Sequence, residues 1–279
     1  MRANDTPTLI VPDVHLRVSR VKKILEEWGS RGRVVFLGDF FDDFGDSPEK
    51  NAEMAEFLKE EILARPDCVV LMGNHDLHYH PRCPRELRCS GFSEEKMKAI
   101  NKVLDLGDFA KMRWAVAEGG FLFTHAGLHP RLLPPFADVK AGNIAEWINS
   151  SCDNSLSTGD STEPLLRAGY MRYGPQPVGG VIWMDFREYE HIPGLQQVFG
   201  HTPLRRHAVT RQGDEISLCL DTNLECVGVI HQALGEPSVI PVSDEFALDF
   251  GGIDKVTALI RAGARSAGSK KKEPKNQSI

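Results

Sequence analysis

The chain has 279 residues, of which 41% are hydrophobic, and its 33 basic and 39 acidic residues leave a net charge of −6. This length and hydrophobic content predict one large domain with a sizeable core. The mild acidity argues against a general nucleic-acid-binding protein, which is usually basic, and no apolar run approaches the length of about eighteen residues typical of a membrane span. The six cysteines form no CxxC pair, and the apolar run before Pro12 is too short for a signal peptide, so we expect a cytoplasmic protein with reduced thiols.

Apolar runs and helical patterns alternate along the first part of the chain. Strands are predicted at residues 8–11, 33–37 and 68–72. After the first strand, apolar residues from Val18 to Trp28 fall on one helical face. After the second, Ser47 and Pro48 form an N-cap and first-turn pair that opens a helix with an inward face reaching Ile62. The alternation predicts a parallel sheet with right-handed crossovers.

The second part of the chain has shorter apolar runs with turn signals between them. Strands are predicted at residues 121–123, 197–199, 216–220 and 227–231. Because no long helical pattern separates the last two, they predict an antiparallel hairpin. The two parts together predict two sheets packed face to face with helices outside.

Four segments lie outside this pattern of strands. Residues 77–92 and 149–163 have turn-forming composition, and we expect them to be irregular and long enough to fold over a site. Ile253 to Ile260 predicts a last amphipathic helix. The lysine-rich stretch 266–279 is predicted to be a disordered basic tail, which leaves residues 1–265 as the single domain.

Five short polar motifs follow apolar runs in a fixed order. They are Asp13-Val14-His15, Gly38-Asp39 with Asp42, Gly73-Asn74-His75-Asp76, Thr124-His125-Ala126-Gly127 and Gly200-His201-Thr202-Pro203. Side chains at the carboxyl ends of neighbouring strands converge on one crevice in open α/β sheets. The motifs offer carboxylates, a carboxamide and imidazoles, too many for one metal ion and about right for two, and such a pair of ions suits attack on phosphorus.

The spacing suggests how these side chains share the ions. Asp13 and His15 are one residue apart, so on an extended backbone they point the same way and can bind one metal together. Asp39 leaves the next strand in a position to bridge two ions. Asn74 adds a neutral oxygen, while the histidines of the fourth and fifth motifs arrive from later strands to complete the second site.

The five motifs in this order resemble those of the calcineurin-like metallophosphoesterase superfamily, over residues 13–203. The resemblance implies an α/β fold of two packed mixed β-sheets flanked by helices, a four-layer α/β/β/α sandwich. It implies that His75, oriented by Asp42, acts at the leaving-group oxygen. It also implies two metal ions held by Asp13, His15 and Asp39 for the first and by Asp39, Asn74, His125 and His201 for the second.

Several positions depart from the commonest pattern. Pro203 follows the last motif where many relatives have a further histidine, and with Leu128 after the fourth motif this is similar to the protein phosphatase and diadenosine-tetraphosphatase branch. That branch usually has an arginine that holds substrate phosphate where this chain has Asp43. We therefore expect the phosphate to be held from elsewhere, and Arg187, after the Trp183-Met184-Asp185 segment, is the candidate.

These features predict an enzyme that hydrolyses phosphate esters by means of a metal-bound hydroxide. A phosphomonoesterase acting on proteins or small molecules is the leading hypothesis, with a dinucleoside-polyphosphate hydrolase or a phosphodiesterase as alternatives. A metal-bound interaction scaffold is the alternative outside catalysis, although a scaffold has no need of His75. We expect manganese, with iron, zinc or nickel as alternatives, a phosphorylated substrate, and neither a membrane nor a nucleic acid as partner.

Overall fold

Two mixed β-sheets of five strands each form the centre of the computed structural model, which describes residues 6–135, 139–231, 237–242 and 248–255. The strands in chain order are β1 (Thr8–Val11), β2 (Arg33–Phe36), β3 (Cys68–Val70), β4 (Ala115–Glu118), β5 (Phe121–Thr124), β6 (Gln196–Phe199), β7 (Ala208–Gln212), β8 (Glu215–Cys219), β9 (Cys226–Ile230) and β10 (Ser238–Pro241). The first sheet has the order β10-β9-β1-β2-β3, and the second has the order β4-β5-β6-β8-β7.

The strands that carry the motifs run parallel inside each sheet. In the first sheet β1 is parallel to β2 and β2 is parallel to β3, whereas β9 and β10 are antiparallel additions. In the second sheet β5, β6 and β8 are parallel, and β4 and β7 pair antiparallel at the two edges. Parallel strands end at the same edge of a sheet, so the polar residues that follow them are brought together.

Helices cover the outer faces of the sheets. They are α1 (Val18–Trp28), α2 (Pro48–Phe57) continued by a π-helical turn at Leu58–Ile62, α3 (Asn74–Leu77), α4 (Glu94–Ile100), α5 (Leu106–Phe109) and α6 (Ala141–Thr158). The inward face of α1 buries Val21, Ile24, Leu25 and Trp28, as the apolar spacing predicts. The Ser47 side chain accepts a hydrogen bond from the Lys50 backbone N–H and caps α2, with Pro48 in its first turn.

Alternate residues of the buried strands face different layers. Leu9 and Val11 pack with the helices, whereas Ile10 between them packs against the other sheet. The layer between the sheets is made by Ile10, Val35, Leu37, Leu71, Phe121, Phe123, Val198, Ile216, Leu218, Leu220, Cys226 and Ile230. Two packed sheets flanked by helices confirm the predicted fold class.

The predicted hairpin between residues 216–220 and 227–231 is wrong. The strands β8 and β9 belong to different sheets: β8 pairs antiparallel with β7, and β9 pairs antiparallel with β1 and β10. The connection from Leu220 to Cys226 instead crosses from one sheet to the other. Its backbone adopts positive φ at Asn223 and Leu224, and this sharp turn is what a short connection between the two layers requires.

The prediction of irregular structure at residues 149–163 is also wrong, because most of that segment lies in α6. Ile144, Ile148, Cys152 and Leu156 recur every four residues and form its buried face. Buried Asn149 is fully used, since its side chain accepts from the Trp114 N–H and donates to the backbone oxygens of residues 115 and 145. The helix packs on β4 and β5, so this segment does not fold over the strand ends.

Residues 77–92 are largely irregular, as predicted, and most of the C-terminal end of the chain lies outside the described residues. Residues 78–92 are irregular apart from a short 3₁₀ turn at Arg85–Leu87. Residues 251–255 are helical, but the rest of the helix predicted up to residue 260 and the tail at 266–279 lie outside the described residues. No helix in the described parts is long and apolar enough to cross a membrane.

Candidate metal centre and its neighbours

The ends of β1, β2, β3, β5 and β6 bring the five polar motifs to one place. Asp13 is in contact with the last motif, because its carboxylate accepts the His201 backbone N–H at 3.1 Å. Asp39 is in contact with the third motif, because its carboxylate accepts the His75 backbone N–H at 2.9 Å. Residues more than 180 positions apart therefore share one crevice, as the parallel topology requires.

One group of donor atoms surrounds the His125 side chain. Its Nε2 lies 3.2 Å from Asn74 Oδ1, 3.1 Å from His201 Nδ1 and 3.3 Å from Asp39 Oδ2. Its Nδ1 lies 2.8 Å from the Leu37 carbonyl oxygen and donates to it, which leaves the Nε2 lone pair facing the other three residues. The four residues that the resemblance assigns to the second ion are thus collected around a single point.

A second group of donor atoms joins Asp13, His15 and Asp39, whose ligand atoms lie within 4.8 Å of one another. His15 Nε2 is 3.8 Å from Asp39 Oδ2, and its Nδ1 is 2.9 Å from the Asp42 carbonyl oxygen, which orients the ring. Asp39 belongs to both groups. A shared carboxylate between two clusters of N and O donors is the arrangement of a two-metal site.

The electrostatics of the crevice fit bound cations. Burial, and then the neighbouring Asp221, raise the pKa of Asp13 to about 7. Burial opposes protonation of His125, but Asp39 and Asp13 raise its pKa to about 10. The raised pKa of this buried imidazole marks an excess of negative charge around it, which a bound cation would offset.

The protonation state of His201 is also consistent with a metal ligand. Burial, with the charges of His125 and Arg172, lowers its pKa well below the usual range, so the ring is neutral as metal coordination requires. Its Nε2 is buried and has no hydrogen-bond partner within the described residues. Its Nδ1 faces the His125 group.

Asp42 lies next to these groups, and four side chains bring a nitrogen or a hydroxyl oxygen close to its carboxylate. Its Oδ2 is 2.9 Å from His75 Nδ1 and 2.8 Å from His78 Nε2, and its Oδ1 is 2.6 Å from the Tyr79 hydroxyl and 2.8 Å from Lys96 Nζ. Burial opposes ionisation, but the hydrogen bonds from His75 and His78 hold the pKa of Asp42 well below its usual value. Burial likewise opposes protonation of His75, but Asp39 and Asp42 raise its pKa. The pair can therefore keep a proton on His75.

Sequence reasoning missed most of this support for Asp42. Lys96 lies in α4, 54 residues away, and also binds Asp46 at 2.8 Å and the Gly91 carbonyl oxygen at 2.8 Å. No short sequence motif predicts this contact, because it forms only when the fold places α4 against the loop after β2. His78 and Tyr79 directly follow the third motif, and that proximity was the available signal.

The third motif also contains a structural carboxylate. Buried Asp76 accepts hydrogen bonds from the backbone N–H groups of Asp39, Phe40 and Gly73 at 2.8 to 2.9 Å. These bonds tie the loop after β2 to the loop after β3. They fix the backbone that presents Asp39 to both donor groups.

Two motif glycines leave room for carboxylates. A Cβ atom added to Gly73 would overlap Asp39 Oδ1, and one added to Gly200 would overlap Asp13 Oδ1. The glycines of the third and fifth motifs are thus required by the close approach of backbone to carboxylate.

The predicted phosphate-binding residue, Arg187, lies at the edge of the region. Its side chain is 65% exposed, and its Nε and Nη2 lie 2.8 Å and 3.0 Å from the Asp185 carboxylate. Arg172 reaches the same carboxylate at 3.0 Å and donates to Thr202 Oγ1 at 3.3 Å, directly after His201. Arg172 therefore contacts the residue that follows His201, whereas the side chain of Arg187 contacts only Asp185 among the described hydrogen bonds.

These donor groups, with a histidine–aspartate pair beside them, define a metal-dependent phosphoester hydrolase. The sequence matches the family described as calcineurin-like phosphoesterase over residues 6–205, and the chain belongs to that family. A search of curated proteins found no match.

Solved structures with a similar fold share little sequence with this chain. A cold-active protein-tyrosine phosphatase of a psychrophilic Shewanella species is 15% identical, with a TM-score of 0.51 over 84% of this chain and 80% of that one. A protein serine/threonine phosphatase from Saccharomyces cerevisiae is 14% identical, with a TM-score of 0.47 over 85% of this chain and 79% of that one. A putative diadenosine tetraphosphatase is 16% identical, with a TM-score of 0.45 over 86% and 95%. At 15% identity the likeness to the tyrosine phosphatase concerns the fold alone.

Proposed function

We propose that the chain is a phosphomonoesterase that works with two divalent metal ions. Asp13, His15 and Asp39 would hold the first ion, and the second would be held by Asp39, Asn74, His125 and His201. The observation that carries the proposal is the convergence of Asn74, His201 and Asp39 on that nitrogen, beside a His75–Asp42 pair. The N and O donors suit manganese, iron, zinc or nickel, and we propose manganese.

When bound, such a pair of ions supplies an activated water and neutralises charge on the phosphate oxygens. The chain's own contribution is the proton for the leaving group. The Nδ1–H of His75 donates to Asp42 at 2.9 Å and so stabilises the protonated ring, which leaves the proton on Nε2, facing away from that carboxylate, for transfer. Delivery of this proton to the departing alkoxide oxygen would contribute about 10²–10⁴-fold to the rate.

Arginines near both donor groups support binding of a dianionic monoester. Arg17 lies two residues after His15, and its Nη2 is 2.6 Å from Asn223 Oδ1 and 3.9 Å from Asp43 Oδ2. It thus places a guanidinium beside the position where related enzymes carry their phosphate-binding arginine. Arg172 offers a second guanidinium next to His201, and Arg187 remains a third candidate.

The shape of the region supports a substrate with a compact phosphate group. A cavity of about 510 Å³ opens beside His15 and is lined by Arg17, Asp43 and Phe44 among others. The acidic groups in its wall and the net charge of −6 offer no continuous basic track, and nucleic-acid backbones bind through many neutralised phosphates. We therefore favour a monoester over an internal linkage of a long nucleic acid.

A dinucleoside-polyphosphate hydrolase is the second candidate. Phe44, at the edge of the same cavity, is fully exposed, with a relative accessibility of 104%. An exposed aromatic ring beside a guanidinium is suited to stacking on a nucleobase. This observation favours nucleotide substrates without excluding simpler esters.

A comparison of three substrates under one Mn²⁺ condition tests the proposal. We expect the specificity constant for p-nitrophenyl phosphate to exceed that for bis-p-nitrophenyl phosphate, with diadenosine tetraphosphate as the test of the second candidate. His75→Ala should slow turnover without loss of bound metal. A clear preference for the diester, or efficient cleavage of internal DNA or RNA linkages, would overturn the monoester assignment.

A further inference from the structure

A third group of possible metal ligands lies next to the proposed dinuclear centre. It consists of His75, His78 and Cys89, and one donor atom from each lies within 4.8 Å of the others. The Cys89 Sγ is 3.0 Å from His78 Nδ1. The Cys89 Sγ also lies 3.6 Å from the Asn74 side-chain nitrogen, so the group borders the second donor group, but it shares no ligand residue with either of the two groups described above.

His78 is already oriented for coordination. Its Nε2 is 2.8 Å from Asp42 Oδ2, and its other nitrogen, Nδ1, faces the Cys89 sulfur at 3.0 Å. A carboxylate behind a histidine ring is the usual support of a metal-bound imidazole. The His78 side chain is fully buried, which fixes this orientation.

The chemistry of the group differs from that of the dinuclear centre. The dinuclear centre offers carboxylate, carboxamide and imidazole, whereas this group adds a thiol sulfur. Sulfur selects zinc and other thiophilic ions over manganese and magnesium. Among the described residues, Cys89 is the only cysteine that belongs to a group of three possible ligands.

We propose that His75, His78 and Cys89 form an inhibitory site for a thiophilic divalent ion such as Zn²⁺. A tetrahedral zinc has bond lengths of about 2.0–2.1 Å to nitrogen and 2.3 Å to sulfur, so the Cys89–His78 pair has to open by only about half an ångström. The bound ion occupies a ring nitrogen of His75 and removes it from proton transfer. Cys89 loses its thiol proton to solvent, and a water completes the fourth position.

Binding at this site stands on the three ligands alone, whereas its inhibitory effect rests on the role proposed for His75. Partial exposure of His75 and Cys89 gives an ion a path from the crevice. The site would make activity fall as free zinc rises, even when the dinuclear centre is saturated with Mn²⁺.

Cobalt spectroscopy tests the binding without reference to activity. Co²⁺ added to the full-length protein already loaded with two equivalents of Mn²⁺ should give the near-ultraviolet charge-transfer absorption of a cobalt–thiolate bond. Cys89→Ser should abolish this band. Cys83→Ser is the matched control, because Cys83 lies in the same segment, contacts the Pro84 carbonyl oxygen and belongs to no group of possible ligands in the described structure. Absence of the band in the unmodified protein, or its persistence in Cys89→Ser, would overturn the proposal.

Inhibition by Zn²⁺ tests the consequence. Each variant is compared with its own zinc-free rate of p-nitrophenyl phosphate hydrolysis in excess Mn²⁺. We expect Cys89→Ser to raise the zinc concentration for half-inhibition about tenfold or more, and Cys83→Ser to leave it unchanged. Equal sensitivity of the two variants would show that zinc acts elsewhere. Absence of Mn²⁺-dependent hydrolysis would count against the proposed function, while the cobalt band would still decide the metal site.

Discussion

Replacement of Asp42 by asparagine removes the charge on which four donors converge. The asparagine oxygen can take the place of one carboxylate oxygen. The amide NH2 group takes the place of the other, and it cannot accept a hydrogen bond from the two groups that face that position. Removal of one partner from a buried charge cluster costs about 3–5 kcal/mol. Lys96 keeps Asp46 and the Gly91 carbonyl oxygen, so we expect the low end of that range.

The same replacement should weaken catalysis in a way that depends on the leaving group. Without the carboxylate, His75 loses both its orientation at Nδ1 and the charge that raises its pKa. We expect kcat to fall about 10²-fold or more for alkyl phosphates, which need a proton on the departing oxygen. For p-nitrophenyl phosphate, whose leaving group needs little protonation, the loss should be much smaller. Urea denaturation and steady-state rates with both substrates measure the two effects.

Asp46→Asn is the control for Asp42→Asn. Asp46 accepts from Lys96 and from the Asn51 side chain at 2.6 Å, and it shares the lysine without a hydrogen bond to His75 or His78 among the described contacts. The Asp46→Asn variant should be less stable, with little change in the ratio of its kcat for alkyl phosphates to its kcat for p-nitrophenyl phosphate. If Asp42→Asn lowers both rates equally, or changes their ratio no more than Asp46→Asn, the positioning role is refuted.

Three further predictions concern the metal ligands and acid stability. Asn74→Ala should lower the bound Mn²⁺ from two ions towards one per chain, because Asn74 Oδ1 faces His125 Nε2 and belongs to the second donor group only, and metal analysis after reloading checks this. Gly73→Ala should push the Asp39 carboxylate aside and lower metal content, whereas Gly142→Ala, where a Cβ meets nothing, should leave it unchanged. Because the folded pKa of Asp42 is lowered, its stabilisation is present above the unfolded value near 3.8 and is lost as the pH falls. The urea concentration at the unfolding midpoint of the metal-free protein should therefore be lower at pH 3 than at pH 5. In Asp42→Asn this difference between the two pH values should be smaller.

The first part of the fold was readable from the sequence because local and global signals agree there. The runs before Asp13 and Asp39 are short, apolar and followed directly by polar residues, which fits buried parallel strands. The face of α1 and the cap at Ser47 are local patterns that the structure retains. The motif order alone was enough to predict which side chains meet, since parallel strands end at one edge.

The errors arose where tertiary context overrides local composition. The polar stretch after Asn149 reads as a loop, yet each fourth residue is buried and Asn149 satisfies its polar atoms on β4. The strands β8 and β9 read as a hairpin, since nothing in their sequence says that they belong to different sheets. Lys96 reaches Asp42 only because α4 packs against α2, a contact with no sequence signature.

The backbone at the motifs adds a constraint that no pattern of side chains reveals. Positive φ angles are found at His15, Asp39, Asp42 and His201, at 42°, 51°, 62° and 68°, which makes four of the eight such non-glycine residues in the described chain. Each such conformation costs about 1–3 kcal/mol and persists only where the surroundings determine it. At Asp39 the surroundings are visible, since its N–H donates to Asp76 and its carbonyl oxygen accepts from Val14 and His15. These bonds lie entirely within the protein, so the strained turn that presents the Asp39 carboxylate is held by the chain itself.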